Sequence, residues 1–176
     1  MYIIFVASLN ENMKLANKLQ EQLTKLGKTS KIINLVELNL PMYDSLKEEK
    51  DGIPKKIIAL VEEMKNANAY IFISPEYNYS LPPVLVNTIA WVSRIGDDFR
   101  EVFALKKVQL ATHSGGGGSD VNNAMRSQLT KLGSLVMPRE IITTYQTPLR
   151  EDSSKRILEQ FVQMTKWRIK NVKKIR

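Results

Sequence analysis

Five times in 176 residues a short apolar run gives way to a stretch whose apolar side chains recur at helical spacing. Strands separated by helices pair in parallel, because each connection must cross over before the next strand can lie beside the last. The opening run, residues 2–7 (Tyr-Ile-Ile-Phe-Val-Ala), has no alternation of apolar and polar positions. A strand of that kind is covered on both faces, as in the middle of a parallel sheet. The pattern therefore demands helices above and below one sheet.

The rest of the chain fits that demand. Leu15, Leu19, Leu23 and Leu26 mark a first helix, which Gly27 is placed to end. A second strand covers 31–35. Residues 38–52, with Pro41, Asp44 and Gly52, read as a loop, and Pro54 suits the first turn of a helix reaching about residue 66. A largely apolar third strand covers 69–74. Pro82 and Pro83 open a helix with Val84, Leu85, Thr88, Ile89 and Val92 on its core face. A fourth strand covers 108–112, and Asp120 is placed to cap a helix over 121–132 that Gly133 ends. A fifth strand lies within 134–144, interrupted by Pro138. Ser153 or Ser154 starts a last helix with Leu158, Phe161, Val162, Thr165 and Ile169. The expectation is an α/β fold of flavodoxin-like, three-layer type: a five-stranded parallel sheet with helices on both faces, in one domain over 1–176. Such folds bind ligands beyond the carboxyl ends of the strands where strand order reverses. The loops after strands one, three and four are thus the places to look.

Composition removes several chemistries. There is no cysteine, which excludes disulfides, thiolate nucleophiles and cysteine-ligated metals. His113 is the single histidine, so a multi-histidine metal site is excluded. No run approaches bilayer-spanning length, and the opening strand lacks the features of a signal peptide, so a cytoplasmic protein without membrane attachment is expected. The net charge of +8 is uneven. Residues 166–176 carry six Lys and Arg and no acid, and the first 165 carry 20 Lys and Arg against 18 Asp and Glu. A nucleic-acid domain spreads basic charge over a face. A solvated end to the last helix is expected here, with Trp167 or Ile169 packed on the sheet layer, and a nucleic-acid partner is not.

The first loop, Ser8-Leu9-Asn10-Glu11-Asn12-Met13, joins a strand end to a helix start, where unpaired N–H groups and the helix dipole favour an anion. Ser8, Asn10 and Asn12 add side-chain donors for a phosphate, although N-capping by Asn10 or Asn12 explains them as well. Neither a Gly-x-Gly-x-x-Gly nor a Walker lysine motif is present. In the second loop, Pro75 and the pair Pro82-Pro83 stiffen a segment holding Glu76, Tyr77, Asn78, Tyr79 and Ser80. It is either a rigid connector or a platform for a planar ligand. The third loop, His113-Ser114-Gly115-Gly116-Gly117-Gly118-Ser119, lets backbone approach a ligand closely.

The second loop and its helix carry a resemblance. Pro75-Glu76-Tyr77-Asn78, Ser80, Pro82, Leu85, Asn87, Ile89 and Trp91 resemble the signature of the NADPH-dependent FMN reductase family, which includes quinone, chromate and azo-dye reductases. Tyr79, Val86 and Ala90 depart from it, standing where the family usually has Gly, Lys and Asp. The Ser/Gly run after strand four resembles the family's flavin loop. Ala7 and Ser8 stand for the first loop's Gly-Ser, and Asn10 stands where a basic residue is usual.

The resemblance implies an oxidoreductase that holds FMN and passes electrons from NADPH or NADH to a small-molecule acceptor: a quinone, azo compound, metal oxyanion or free flavin. It implies that Ser8, Asn10 and Asn12 hold the phosphate, with Met13 also among the cofactor-binding residues. Pro75, Glu76, Tyr77 and Asn78 would face the ring with their backbone, and Ser114, Gly115, Gly116 and Gly117 would line its other rim. The cofactor carries the chemistry, so no catalytic side chain is assigned. It also implies a homodimer, or a dimer of dimers, built on the helix after the second loop, whose Val86, Ala90 and Ser93 form a second small row. The alternatives are a flavodoxin-like electron carrier without NAD(P)H turnover, and a non-enzymatic protein that binds through its basic tail.

Overall fold

A computed structural model describes residues 1–96 and 99–167. In chain order the elements are β1 (Tyr2–Val6), α1 (Glu11–Lys25), β2 (Ser30–Asn34), α2 (Ser45–Asp51), α3 (Lys55–Asn66) and β3 (Ala69–Ile73). They continue with α4 (Pro83–Val92), a 3-10 turn (Phe99–Val102), β4 (Lys107–His113), α5 (Ser119–Lys131), β5 (Leu135–Val136), β6 (Ile141–Thr143) and α6 (Glu151–Lys166). Strand order is β2-β1-β3-β4-β5, every pairing is parallel, and β6 also pairs with β4.

Alternate side chains of the strands feed two cores. Ile3, Phe5, Tyr70, Phe72, Val108 and Leu110 pack under α3, α4 and α5. Ile4, Val6, Ile71, Ile73 and Ala111 pack under α1 and α6. Each central strand is buried on both faces, as its unbroken apolar run requires. The chain runs from β1 outward to β2 and then returns to the other side of β1 as β3. Beyond the carboxyl ends of β1 and β3 the connections leave in opposite directions, which opens a crevice there.

Helix ends follow the residues placed there. Gly27 has φ +68°; its N–H donates to the Thr24 carbonyl and that of Lys28 to the Leu23 carbonyl, both at 2.9 Å. This is the paired 5→2 and 6→1 bonding that ends a helix on a left-handed residue. Gly133 repeats it, and a Cβ there would lie 3.3 Å from the Ala104 backbone.

Several expectations are corrected. Residues 38–52 contain the helix α2, capped by Asp44, whose carboxylate accepts from the Lys47 N–H at 2.7 Å. No α2 residue is buried, so no apolar period betrays it. The fifth strand is two segments, β5 and β6, because Pro138 interrupts the ladder between them. The gap is bridged by Gln109 of β4, wholly buried, whose Nε2 donates to the Arg139 carbonyl at 2.7 Å. Helix α5 begins at Ser119 with Gly118, not Asp120, at its cap. Helix α6 begins at Glu151, so Ser154 lies inside it, where its hydroxyl accepts from Gln22 Nε2 of α1 at 2.9 Å. Helix α6 ends at Lys166 and Trp167 is 70% exposed, so Trp167 does not pack on the sheet layer; Ile169 lies outside the described residues. Among the described residues no helix is long and apolar enough to cross a membrane.

Helix α4 is buried around more of its girth than its core stripe predicts. Asn87 and Trp91, off that stripe, are buried under residues 41–43. Asn87 Oδ1 accepts from the Tyr43 N–H at 2.8 Å, and its Nδ2 donates to the Pro41 carbonyl at 3.0 Å. Trp91 Nε1 donates to the same carbonyl at 2.8 Å. Asn87 thus satisfies backbone groups of a segment with no ladder of its own. Asn87→Ala strands the Tyr43 N–H while Trp91 still serves the Pro41 carbonyl, and urea denaturation is expected to show a loss of about 1–3 kcal/mol.

Candidate functional site

The loops after β1, β3 and β4 meet at the reversal point. They frame a cavity of about 450 Å³ lined by Ser8, Leu9, Asn10, Glu11, Asn12 and Val36 on one side and Pro75, Glu76, Tyr77, His113, Ser114, Gly115 and Tyr145 on the other. The volume is in the range of small-molecule and cofactor sites. Of the residues singled out in the sequence, Ser8, Asn10, Asn12, Pro75, Glu76, Tyr77, Ser114 and Gly115 lie in this wall. Met13, Asn78, Gly116 and Gly117 do not; the Met13 side chain packs against the core under α1.

Loop one presents backbone more than side chains. Asn10 precedes α1 at φ +56° and makes no side-chain cap, so the first-turn N–H groups of α1 have no capping side chain. The Asn12 side chain is already committed. Its Oδ1 accepts from the His113 N–H at 2.8 Å and its Nδ2 donates to the His113 carbonyl at 3.0 Å. Asn12 therefore ties the first turn of α1 to the end of β4 with its Oδ1 and one hydrogen of Nδ2. Ser8 Oγ donates to the Leu9 carbonyl at 3.2 Å. Glu11 accepts from Lys14 Nζ at 2.7 Å, and that bond holds the Glu11 carboxyl below its ordinary value.

Loop two is a tight turn. Tyr77 and Ser80 exchange both backbone hydrogen bonds, at 3.1 and 3.0 Å, with Asn78 at φ +49° and Tyr79 at φ +61° between them. Two left-handed central residues make this a primed hairpin turn, whose second position favours glycine. Glu76 joins this turn to loop three. Its Oε1 accepts from Ser114 Oγ and its Oε2 from the Val121 N–H of α5, both at 3.2 Å. Ser114 Oγ in turn accepts from the Gly116 N–H at 3.0 Å. A Cβ at Gly116 would meet Glu76 Oε1 at 3.1 Å. At Gly118 (φ +77°) it would meet Thr112 Cγ2 at 2.5 Å, whereas at Gly115 it would meet nothing within 4 Å. The glycines at 116 and 118 thus serve the loop's own packing, and Gly115 serves the cavity.

Sequence reasoning missed Leu9, Glu11, Val36, His113 and Tyr145. Val36 and Tyr145 follow β2 and β6, and no motif marks them. His113 is legible only as the last residue of β4 before the glycine run. Its ring meets Tyr145 edge-on, centroids 4.9 Å apart, and Tyr145 is itself 75% exposed.

Comparison with known proteins gives the same frame. Residues 2–147 match the family described as NADPH-dependent FMN reductase. A quinone reductase from Escherichia coli (strain K12) is 36% identical over 101 residues, 56% of this chain and 52% of that protein. The chain thus spans about half the length of such curated relatives. A solved structure described as the flavoenzyme NAD(P)H:(acceptor) oxidoreductase FerB from Paracoccus denitrificans superposes with a TM-score of 0.76. It is 21% identical, covering 94% of this chain and 96% of that one. A flavodoxin from the domain Archaea superposes with a TM-score of 0.66 at 13% identity, covering 94% and 99%. At those identities the structural likeness speaks for the fold.

Tyr79 holds a left-handed conformation that disfavours any residue with a Cβ. Its ring, 76% exposed, contributes little packing in return. Tyr79→Gly is expected to raise stability by about 1 kcal/mol in chemical denaturation.

Proposed function

The chain belongs to the NADPH-dependent FMN reductase family, and from that premise we propose that it binds FMN in the cavity at the strand-order reversal. It uses the cofactor to move electrons from NADPH or NADH to a small-molecule acceptor. The observation that carries this reading is the meeting of an uncapped α1 N-terminus, a rigid turn and a glycine without Cβ neighbours in one cavity wall. That set fits the group: N–H donors for a phosphate at one end and bare backbone for a flat ring at the other.

Bound FMN would supply two-electron chemistry, a hydride taken from the nicotinamide and electrons given to a quinone, azo compound, metal oxyanion or free flavin. The chain's part is to bind, orient and exclude water. The α1 first turn with Ser8 and Asn10 holds the phosphate. Pro75, Glu76 and Tyr77 with Ser114 and Gly115 present backbone along the ring. The Glu76 carboxylate keeps the two loops at a fixed separation through Ser114 and Val121. Tyr77 and Tyr145 flank the mouth and shield it.

The same reading includes a homodimer through α4. Val86 is 43% exposed while Ala90 and Ser93 are half-buried, a small-residue row beside the rigid turn. A two-fold contact sets each row against its copy.

Three experiments test the reading. FMN fluorescence should be quenched at micromolar protein, with steady NADPH or NADH oxidation when a quinone is added; no quenching and no co-purifying flavin refutes it. Gly115→Val is the cleaner probe of loop three, since the side chain enters the cavity without touching Glu76. It is expected to weaken FMN binding at least tenfold with an unchanged melting temperature. Ala90→Arg places like charges across the two-fold and should shift sedimentation from dimer towards monomer; a wild type that sediments as monomer refutes the dimer.

A further inference from the structure

Among the described residues that line the cavity there is no lysine or arginine. A phosphate monoester near neutral pH carries close to two negative charges, and the first turn of α1 contributes about half a positive one. Neutral hydrogen-bond donors must supply the rest, and most side-chain donors of the wall are already engaged. Ser8 Oγ donates to the Leu9 carbonyl and Ser114 Oγ to Glu76, both at 3.2 Å. Asn12, 4% exposed, is bonded through both ends of its amide to His113. The His113 ring has one nitrogen against Thr143 and the other buried. The side-chain donors left without a partner among the described residues are the Asn10 amide and the hydroxyls of Tyr77 and Tyr145.

The two tyrosines belong to opposite layers. Tyr77 stands on the turn that leads into α4, which packs with α3 and α5 on one face of the sheet. Tyr145 follows β6 on the face that carries α1 and α6. Residues on either side of it, Thr143, Pro148 and Leu149, line one small cavity with Glu11, Lys14 and Leu15 of α1. The Tyr145 ring meets the His113 ring edge-on, centroids 4.9 Å apart, and Asn12 of α1 holds the His113 backbone. The Lys14 ammonium is held above its ordinary value by its bond to Glu11, the first residue of α1, and to a smaller degree by the nearby Tyr145 phenol. The turn under Tyr145 is closed on itself. Thr144 N–H donates to the Thr147 carbonyl and Thr147 N–H to Thr144 Oγ1, both at 2.9 Å. The ring is thus braced by a turn and by a second ring beside the first turn of α1, yet it is 75% exposed.

We infer that Tyr145 donates its phenolic O–H to the phosphate of FMN at the first turn of α1, and so selects the phosphorylated flavin. The inference rests on the FMN reading above and adds to it a donor far along the chain from loop one. A hydroxyl bonded to an anionic oxygen makes a charge-assisted hydrogen bond, about twice as strong as a neutral pair. It does so without a formal charge on the protein, which suits a wall whose described residues include no lysine or arginine. The braced turn holds the ring in place before the ligand arrives, so little ordering is required on binding. Riboflavin ends in a hydroxyl where FMN carries the phosphate, and it offers the phenol no anion.

The test is Tyr145→Phe in the full chain, which removes the hydroxyl and keeps the ring that meets His113. Affinities for FMN and for riboflavin are measured by fluorescence quenching. FMN binding is expected to weaken about tenfold, the worth of one hydrogen bond to a charged group, while riboflavin binding stays at the wild-type level. The phosphorus NMR resonance of bound FMN is a second readout that needs no riboflavin, and it should move between wild type and variant. An unchanged FMN affinity, an equal loss with both flavins, or a phosphorus resonance identical with that of the wild type each overturns the inference and leaves the FMN reading intact. Failure of the wild type to bind FMN overturns both.

Discussion

The pairing of β1 with β3 is the constraint on which the rest of the molecule depends. All five residues of β1 are matched in register to β3, from Tyr2 with Ala69 to Val6 with Ile73, and β2 holds the other edge. With neighbours on both sides and helices on both faces, these strands have no exposed surface, and their backbone groups are spent in the ladder. The connections out of β1 and β3 must therefore diverge, and the crevice between them exists because no other route is open. The site's position is a result of topology before any side chain is considered.

What fills that crevice is held by a few polar contacts that cross between loops. Asn12 closes the first turn of α1 onto β4, and Glu76 closes loop two onto loop three and α5. Both are residues whose types suggest ligand binding, and both are occupied in holding backbone. A rigid frame of this kind lets the cavity present N–H groups and bare glycine without rearrangement, which is how a cofactor site lowers the ordering cost of binding. It also leaves the cavity wall without a lysine or arginine among the described residues.

The surface beside the site is shaped by residues 41–43 and α2. Asn87 and Trp91 bind that segment to α4 through the Pro41 carbonyl and the Tyr43 N–H. Tyr43 then packs edge-on against Trp91, centroids 5.1 Å apart, and donates to Glu48 at 3.0 Å. Two side chains of one helix thus order a stretch that has no apolar period, which leaves Val86 and Ala90 as the face of α4 open to another molecule.

The amino-acid sequence by itself determined the layer architecture, the strand-helix order, the glycine ends of α1 and α5, and which three loops converge. These depend on local periodicity and on residues such as Gly27 and Gly133, whose roles are set by their own backbone. Tertiary structure alone decided what lies far apart in sequence and close in space: residues 41–43 held to α4 by Asn87 and Trp91, the division of the last strand bridged by Gln109, and the entry of Val36 and Tyr145 into the cavity. It also decided which candidate side chains remain free. Asn12 and Glu76 look alike as ligands in one dimension, because a hydrogen-bonding group carries no mark of its partner. The partner of Asn12 lies 101 residues away and those of Glu76 lie 38 and 45, and such long-range pairing is fixed only when the sheet brings the loops together.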